Sequence, residues 1–273
     1  MAKRVYLFNE GNKDDRELLG GKGANLCEMT AMGLPVPFGF VITTATCREY
    51  FQTGNKMPSL LEQEYRVALD MVEKKMGARF GDPENPLLFS VRSGAPVSMP
   101  GMMNTILNLG LNDDIAAGLA AKTNNPRFAY DCYRRFISMF ADVVMGVPGE
   151  KFESEIEKYK AEQGKTLDVE MTAADWQAII AVYKTIVDFP EDPFVQLKMA
   201  VEAVFQSWHT PRAIVYREMN NIPDLLGTAV SVQAMVFGNF GEDSGSGVAF
   251  TRNPSTGEKT FFGEILFNAA GED

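Results

Sequence analysis

The hydrophobic pattern changes character along the chain, and it divides the 273 residues into regions of different build. Over roughly the first hundred residues, short apolar runs alternate with Gly and Pro. Val5 to Phe8, Gly39 to Thr44 and Leu87 to Arg92 have the length and apolar density of strands, the last ending in a polar turn. Between the first two, Ala24 to Met32 predicts a short helix stopped by Gly33, so this region is an α/β pattern. From about 111 to 221 the period becomes helical. Asn125-Pro126 predicts a helix start, followed by Phe128, Cys132, Phe136, Met139, Phe140 and Val143 on one face until Gly146 and Pro148. Thr172 with Asp175, Asp192-Pro193 and Thr210-Pro211 mark three further starts. After Pro223, Val230, Val232, Ala234 and Val236 alternate with Ser231, Gln233 and Met235, predicting a strand with two different faces over Thr228 to Phe237. Val248 to Thr251 and Thr260 to Phe267 flank Asn253-Pro254-Ser255-Thr256-Gly257, the composition of a hairpin turn. No internal repeat or low-complexity linker interrupts this order.

Composition narrows the functional classes. A hydrophobic content of 45% supports a substantial core, while a net charge of -10 and a pI near 4.8 argue against nucleic acid as a partner, because phosphate backbones demand clustered cations. A small anion needs only a few placed cations and stays admissible. Cys27, Cys47 and Cys132 are odd in number, widely spaced and without a C-x-x-C, so neither a disulfide framework nor a zinc site is indicated. The opening apolar run breaks at Asn9-Glu10, and no stretch approaches membrane-spanning length, which predicts no membrane partner and a cytoplasmic protein.

Several segments carry candidate chemistry. Gly20-Gly21-Lys22-Gly23 ahead of a helix can present backbone N–H groups and a mobile cation to phosphate, or can be a plain glycine turn. It lacks the Ser or Thr of a Walker A loop and the last glycine of G-x-G-x-x-G. Arg92 at a strand end suits a bidentate phosphate contact. The loop that follows carries Gly101 and two methionines, Met102 and Met103, which read as exposed and could pack over a base or sugar, and a structural loop fits equally. Gln233-Ala234-Met235-Val236 can border a purine or be an ordinary amphipathic strand. Gly241 to Gly247, with Ser246, is a small-residue loop that can lie over phosphates or simply turn. Glu264, Glu272 and Asp273 are candidate oxygen ligands for Mg²⁺ or a ribose contact, or solvated carboxylates. His209, the single histidine, has no neighbour that would activate it as a nucleophile. Arg127, Asp131 and Arg135 have the spacing of a solvated ion-pair row on the exposed face of the aromatic helix.

Taken together, five ordered segments resemble the pyruvate phosphate dikinases: Leu18 to Leu26, Ser90 to Asn112 with its Ser98-Met99-Pro100-Gly101-Met102-Met103, Asn125 to Asp131, Pro211 to Arg217, and Gly247 to Glu258. Phosphoenolpyruvate synthases, glucan water dikinases and rifampin phosphotransferases share the lysine and arginine but not the Met-Pro-Gly-Met-Met or Asn-Pro-Ser-Thr-Gly-Glu wording. Asn104 stands where Asp is common in the family, and Ser246 where Thr is common. The resemblance implies an α/β (α+β) fold of ATP-grasp type, with a helical insertion and a second lobe that is incomplete in this chain. Its implied boundaries are a first lobe at 1–110 plus 198–236, a helical subdomain at 111–197 and the start of the second lobe at 237–273. The implied reaction is ATP + phosphate + pyruvate ⇌ AMP + diphosphate + phosphoenolpyruvate, with Mg²⁺ and a monovalent cation. A phosphohistidine domain and a pyruvate-binding barrel elsewhere in a homodimeric full-length protein would complete it. Carried over by motif, Lys22 and Arg92 would hold polyphosphate and act in catalysis. Gly101, Met102 and Met103 would form the nucleotide loop, with Gln233, Met235 and Val236 beside adenine, Ser246 on phosphate, and Glu272 and Asp273 near ribose. The alternatives are a phosphoenolpyruvate synthase-like dikinase or a non-catalytic nucleotide-binding module.

Overall fold

In the computed structural model, residues 3–271 are described; they form two compact units that divide after Met235. The larger unit is built on a five-stranded antiparallel sheet in the order β1-β2-β5-β3-β4. The strands are β1 (Val5–Leu7), β2 (Gly39–Ile42), β3 (Phe89–Gly94), β4 (Thr105–Leu109) and β5 (Ala229–Ala234). β5 arrives last in this unit yet lies at its centre, with Ser231 opposite both Val41 of β2 and Arg92 of β3. Its position corrects the expectation of a strand with two unlike faces: Ala229 to Val232 are buried consecutively, because β5 is paired along both edges and α1 (Arg16–Ala31), α2 (Thr44–Gln52) and α8 (Pro193–Ser207) pack against it. Ser231 in its alternation is buried and Gln233 half-buried, so its polar positions do not face solvent.

β4 escaped the reading of hydrophobic pattern, and its backbone shows why. Its register against β3 shifts between Phe89 and Val91, and Asn108 takes the left-handed conformation with φ 59°. A bulge of this kind adds a residue to one strand and breaks period-two alternation.

The helices follow their local signals. α1 (Arg16–Ala31) begins earlier than the sequence pattern predicts and ends at Gly33, which adopts φ 76°. α2 (Thr44–Gln52), α3 (Leu61–Met76) and α4 (Asp113–Thr123) follow. α5 (Pro126–Val143) starts where Asn125 accepts the Phe128 N–H at 3.1 Å, and its buried Phe128, Cys132, Phe136 and Phe140 recur every fourth residue. α6 (Glu150–Gln163) leads through a 3-10 turn at Asp168–Glu170 to α7 (Ala173–Ile186), which Thr172 and Asp175 start with reciprocal side-chain bonds. α8 (Pro193–Ser207) and α9 (Pro211–Met219) both carry proline in the first turn.

The expected solvated row on α5 is corrected. Asp131 is 6% exposed and Arg134 8%. Asp131 accepts from Arg134 Nε at 2.8 Å and Arg135 Nε at 3.2 Å, while Arg127 donates to the backbone oxygens of Asp168 and Met171. Arg134 also stacks over Trp176 of α7 at 4.4 Å. The 3-10 turn and α7 cover this helix face, so the charges are held in an internal network, where losing one partner costs far more than at a surface. Burial pushes the Cys27 thiol up to about 11 and that of Cys47 up to about 12, which leaves both as inert packing groups.

The second unit contains the hairpin of β6 (Gly245–Phe250) and β7 (Phe262–Phe267), with Val248 opposite Glu264. The turn predicted from Asn253 to Gly257 is present: the Asn253 side chain accepts the N–H groups of Ser255 and Thr256, and Gly257 takes φ 75°. Every residue of β7 is exposed, including Ile265 at 63% and Phe267 at 66%, so apolar side chains stand on both faces of an uncovered hairpin. Such a surface is sticky, and a lone two-stranded ribbon is marginal in water. The 273-residue chain is therefore expected to self-associate with rising concentration, and the double variant Phe262→Thr, Ile265→Thr to shift it toward monomer in sedimentation velocity. A wild-type chain that sediments as a monomer throughout would contradict this.

Candidate functional site

The site begins with a break in a helix. Gly20, inside α1, has φ 69° and ψ 164°, which no helix interior adopts. A Cβ there would lie 1.8 Å from the carbonyl oxygen of Gly94, so only glycine lets α1 touch the end of β3. The next residue seals that contact: the Gly21 N–H donates to the Ala95 oxygen at 2.9 Å. Gly94 is itself held by its N–H to Thr228 Oγ1 at 3.1 Å. The glycine pair is thus a docking device between helix and strand, and Lys22 follows directly on it.

Lys22 packs beside the end of β3, its Cβ 3.7 Å from where a Cβ on Gly94 would stand, and Arg92 of the same strand is near enough to act on its charge. The Lys22 amine is held below the usual lysine range, first by partial desolvation in its cleft and then by repulsion from the Arg92 guanidinium. Lys22 lines a cleft of about 610 Å³ together with Arg16, Asn25, Ser98, Gly101 and Met103. Among the described residues no carboxylate lines it, although the chain has 36 acidic residues against 26 basic ones. Arg16 and Lys22 come from the two sides of the Gly20 break. An unbroken helix would rotate six positions through about 600°, placing them on different faces.

The opposite wall is the loop from Ala95 to Asn104. Ala95 and Met99 are buried in a small cluster with Trp208, Ala213 and Ile222, against which Met102 and Met103 also pack. The two methionines are therefore half-buried pegs and not the exposed pair that the sequence suggests, because α9 and Trp208 lie beneath them. Met103 also lines the cleft, and Gly101, just before the pegs, takes φ 71° with open space around it. Arg212, at the start of α9, donates to the Met102 oxygen at 3.2 Å and to Asn104 Oδ1 at 2.7 Å.

The other candidates are engaged in contacts of their own or belong to the second unit. Gln233 donates its side-chain amide to the Pro37 oxygen at 3.0 Å. Met235 donates its N–H to Leu88, and its sulfur accepts the Asn108 N–H at 3.0 Å. Val236, 69% exposed, begins the second unit, where Ser246 Oγ donates to the Ala269 oxygen at 2.9 Å and, with Glu264, lines a separate concavity. Glu272 and Asp273 lie outside the described residues. His209 sits edge-on to Phe51 at 4.2 Å and 3.4 Å from Asp224, and it is not among the cleft residues. Among the described residues no group of three or more His, Cys, Asp or Glu could hold a metal ion, and no helix is long and apolar enough to cross a membrane.

Arg16, Asn25 and Arg212 contribute to the site without having stood out in the sequence. Arg16 was legible only as the last cation before the glycine pair. Arg212 lay within a recognised segment, but its partners are distant in the chain.

The family model described as "Pyruvate phosphate dikinase, AMP/ATP-binding domain" matches residues 16–74 and 54–272. Pyruvate, phosphate dikinase of Clostridium symbiosum is 57% identical over 280 residues, covering 100% of this chain and 32% of the relative. The chloroplastic pyruvate, phosphate dikinase of Flaveria trinervia is 55% identical over 281 residues, covering 99% of this chain and 29% of that protein. Its counterpart from Rhizobium meliloti (strain 1021) is 54% identical, covering 100% and 32%. The chain spans about a third of the length of these relatives, in their N-terminal part. By the family match, over a mixed helix and sheet fold that brings Lys22 beside Arg92, the chain belongs to the pyruvate phosphate dikinase AMP/ATP-binding domain family.

Proposed function

We propose that the cleft between α1 and the Ala95 to Asn104 loop takes the polyphosphate of ATP, with Lys22 and Arg92 as its principal cations. The observation that carries this reading is a cleft with Lys22 and Arg16 on its wall, Arg92 close enough to repel Lys22, and no carboxylate among the described residues that line it, in a protein of net charge -10. Two cations held close together repel each other until an anion joins them, and that anion then gains from both. During phosphoryl transfer the same pair would stabilise charge developing on the transferred oxygens. Gly101, Met102 and Met103 supply the loop over the nucleotide; Gln233, Met235 and Val236 are assigned to adenine, Ser246 to phosphate, and Glu272 and Asp273 to ribose. Boundaries at 1–110 with 198–236, at 111–197 and at 237–273 belong to the same reading.

Within a longer protein, this chain would activate ATP for the interconversion of ATP, phosphate and pyruvate with AMP, diphosphate and phosphoenolpyruvate. The names of its relatives and its own lack of a cleft histidine support that division of labour: His209 is engaged elsewhere, so a phosphohistidine carrier and a pyruvate site would be supplied by other domains. Mg²⁺ would arrive with ATP, since the cleft offers phosphate-binding groups and, among the described residues, no carboxylate ligand; a monovalent cation and a homodimeric parent complete the proposal.

Isothermal titration of the 273-residue chain with a non-hydrolysable ATP analogue and Mg²⁺ tests the first step. Saturable binding to one site, weakened by added salt, is expected. The absence of binding, or equal binding to adenosine, would refute a polyphosphate site.

A further inference from the structure

The loop that walls the cleft is tied down at both ends and free at its apex, and one tie comes from a residue with no evident reason to be where it is. Arg212 is the second residue of α9. A cation in the first turn of a helix faces the positive end of the backbone dipole, which is the less favourable end for it. Its guanidinium donates to the Met102 oxygen at 3.2 Å and to Asn104 Oδ1 at 2.7 Å. These two acceptors flank Met103, the methionine that lines the cleft. At the other end, Met99 is buried in the Trp208 cluster, and its oxygen accepts the Met102 N–H at 3.2 Å. Between the ties, Gly101 has nothing within 4 Å of a would-be Cβ.

We propose that Arg212 and Asn104 form a latch that sets how firmly the loop from Met99 to Asn104 is held against the cleft, which makes Arg212 a positioning residue for the nucleotide. Its functional consequence rests on the polyphosphate reading given above; the latch itself does not. Asn104 offers Arg212 a neutral amide oxygen, so the hydrogen bond is charge-assisted from one side only. A carboxylate at the same position would turn it into an ion pair with a shorter and stronger bond. The side chain at residue 104 therefore grades the closure of the loop. An aspartate there tightens it, an alanine releases it, and both effects depend on Arg212.

Hydrogen exchange over residues 99–104 in the full chain, measured without nucleotide, tests the latch directly. Arg212→Ala and Asn104→Ala are each expected to speed exchange in this segment by about 10-fold, the effect of losing a charge-assisted bond in a part-exposed site. Arg212→Lys, with a single point charge in place of the fork, recovers part of the protection. Asn104→Asp slows exchange below wild type when Arg212 is present and speeds it when Arg212 is alanine, a reversal of sign that general destabilisation does not produce. ATP-analogue affinity is expected to follow the same order. Should Arg212→Ala fail to fold, Asn104→Ala, at a half-buried loop position, carries the test. Wild-type exchange in Asn104→Ala, or the same response to Asn104→Asp with and without Arg212, would overturn the latch. A latch that behaves as described in a chain that binds no ATP analogue would instead sink the polyphosphate reading alone.

Discussion

Replacing Lys22 with methionine leaves a folded protein that is slightly more stable than wild type and weakens ATP-analogue binding by about 10- to 100-fold, the range expected for losing one charge-assisted phosphate contact. The two effects have one cause. Without ligand, the Lys22 charge is partly desolvated and repelled by Arg92, and both disfavour its protonated form. Methionine keeps the length of the side chain and removes that penalty. Polyphosphate reverses the balance, because its charge favours protonated Lys22 and neutralises the repulsion. The pH dependence has a definite direction. Below the lowered folded value, Lys22 is protonated in both folded and unfolded chains, and its unfavourable contribution is fully present. As pH rises through the lowered folded value toward the ordinary 10.5, the folded chain releases its proton before the unfolded chain does, so this contribution is relieved and stability gains. Nucleotide affinity falls over the same window. Urea unfolding of wild type and Lys22→Met as a function of pH isolates the effect as a difference. A stability difference that does not change with pH, or a Lys22→Met chain that binds like wild type, would contradict the assignment.

Gly20→Ala is expected to be strongly damaging to both fold and site. Its Cβ would fall 1.8 Å from the Gly94 oxygen, at a residue whose φ of 69° already strains any L side chain. The nearest atoms are backbone, so no rotamer change relieves the clash; either α1 or the end of β3 has to move. Left-handed strain and overpacking together cost about 2–5 kcal/mol, a large part of a domain's total stability. Movement there would also break the Gly21 to Ala95 bond and separate Lys22 from Arg92. Binding should be lost even where urea titration shows a folded population. Gly33→Ala provides the contrast, since it shares a positive φ of 76° but has nothing within 4 Å of its Cβ; it should cost only about 1 kcal/mol. Equal losses at the two glycines would mean that conformation, and not the close approach to Gly94, governs Gly20.

Much of the fold was legible because its signals are local. Asn125 with Pro126, Thr172 with Asp175 and Asp192 with Pro193 mark helix starts through bonds spanning two to four residues, and the structure places all three. The Asn253 to Gly257 turn is equally self-contained. Elements without such signals were missed: β4 because its bulge at Asn108 destroys alternation, and the first part of α1 because Gly20 interrupts the helix that contains it. The reading of Arg127, Asp131 and Arg135 as a surface row failed because i, i+4 spacing shows that charges share a helix face but says nothing of what covers that face.

The same distinction runs through the candidate site. Residue types and their order along the chain were enough to determine an acidic α/β protein with a glycine-flanked lysine, a strand-end arginine and the wording of its family, because these properties belong to short stretches of chain. Tertiary structure alone decided that Gly20 touches Gly94, that the Arg92 guanidinium lies near enough to repel Lys22, that the methionines are pegs over Trp208, and that Arg212 reaches back 110 positions to Met102. Each of these contacts closes a long stretch of chain. Its entropic cost is met by the whole packed core and not by the residues that meet, so no local pattern records it.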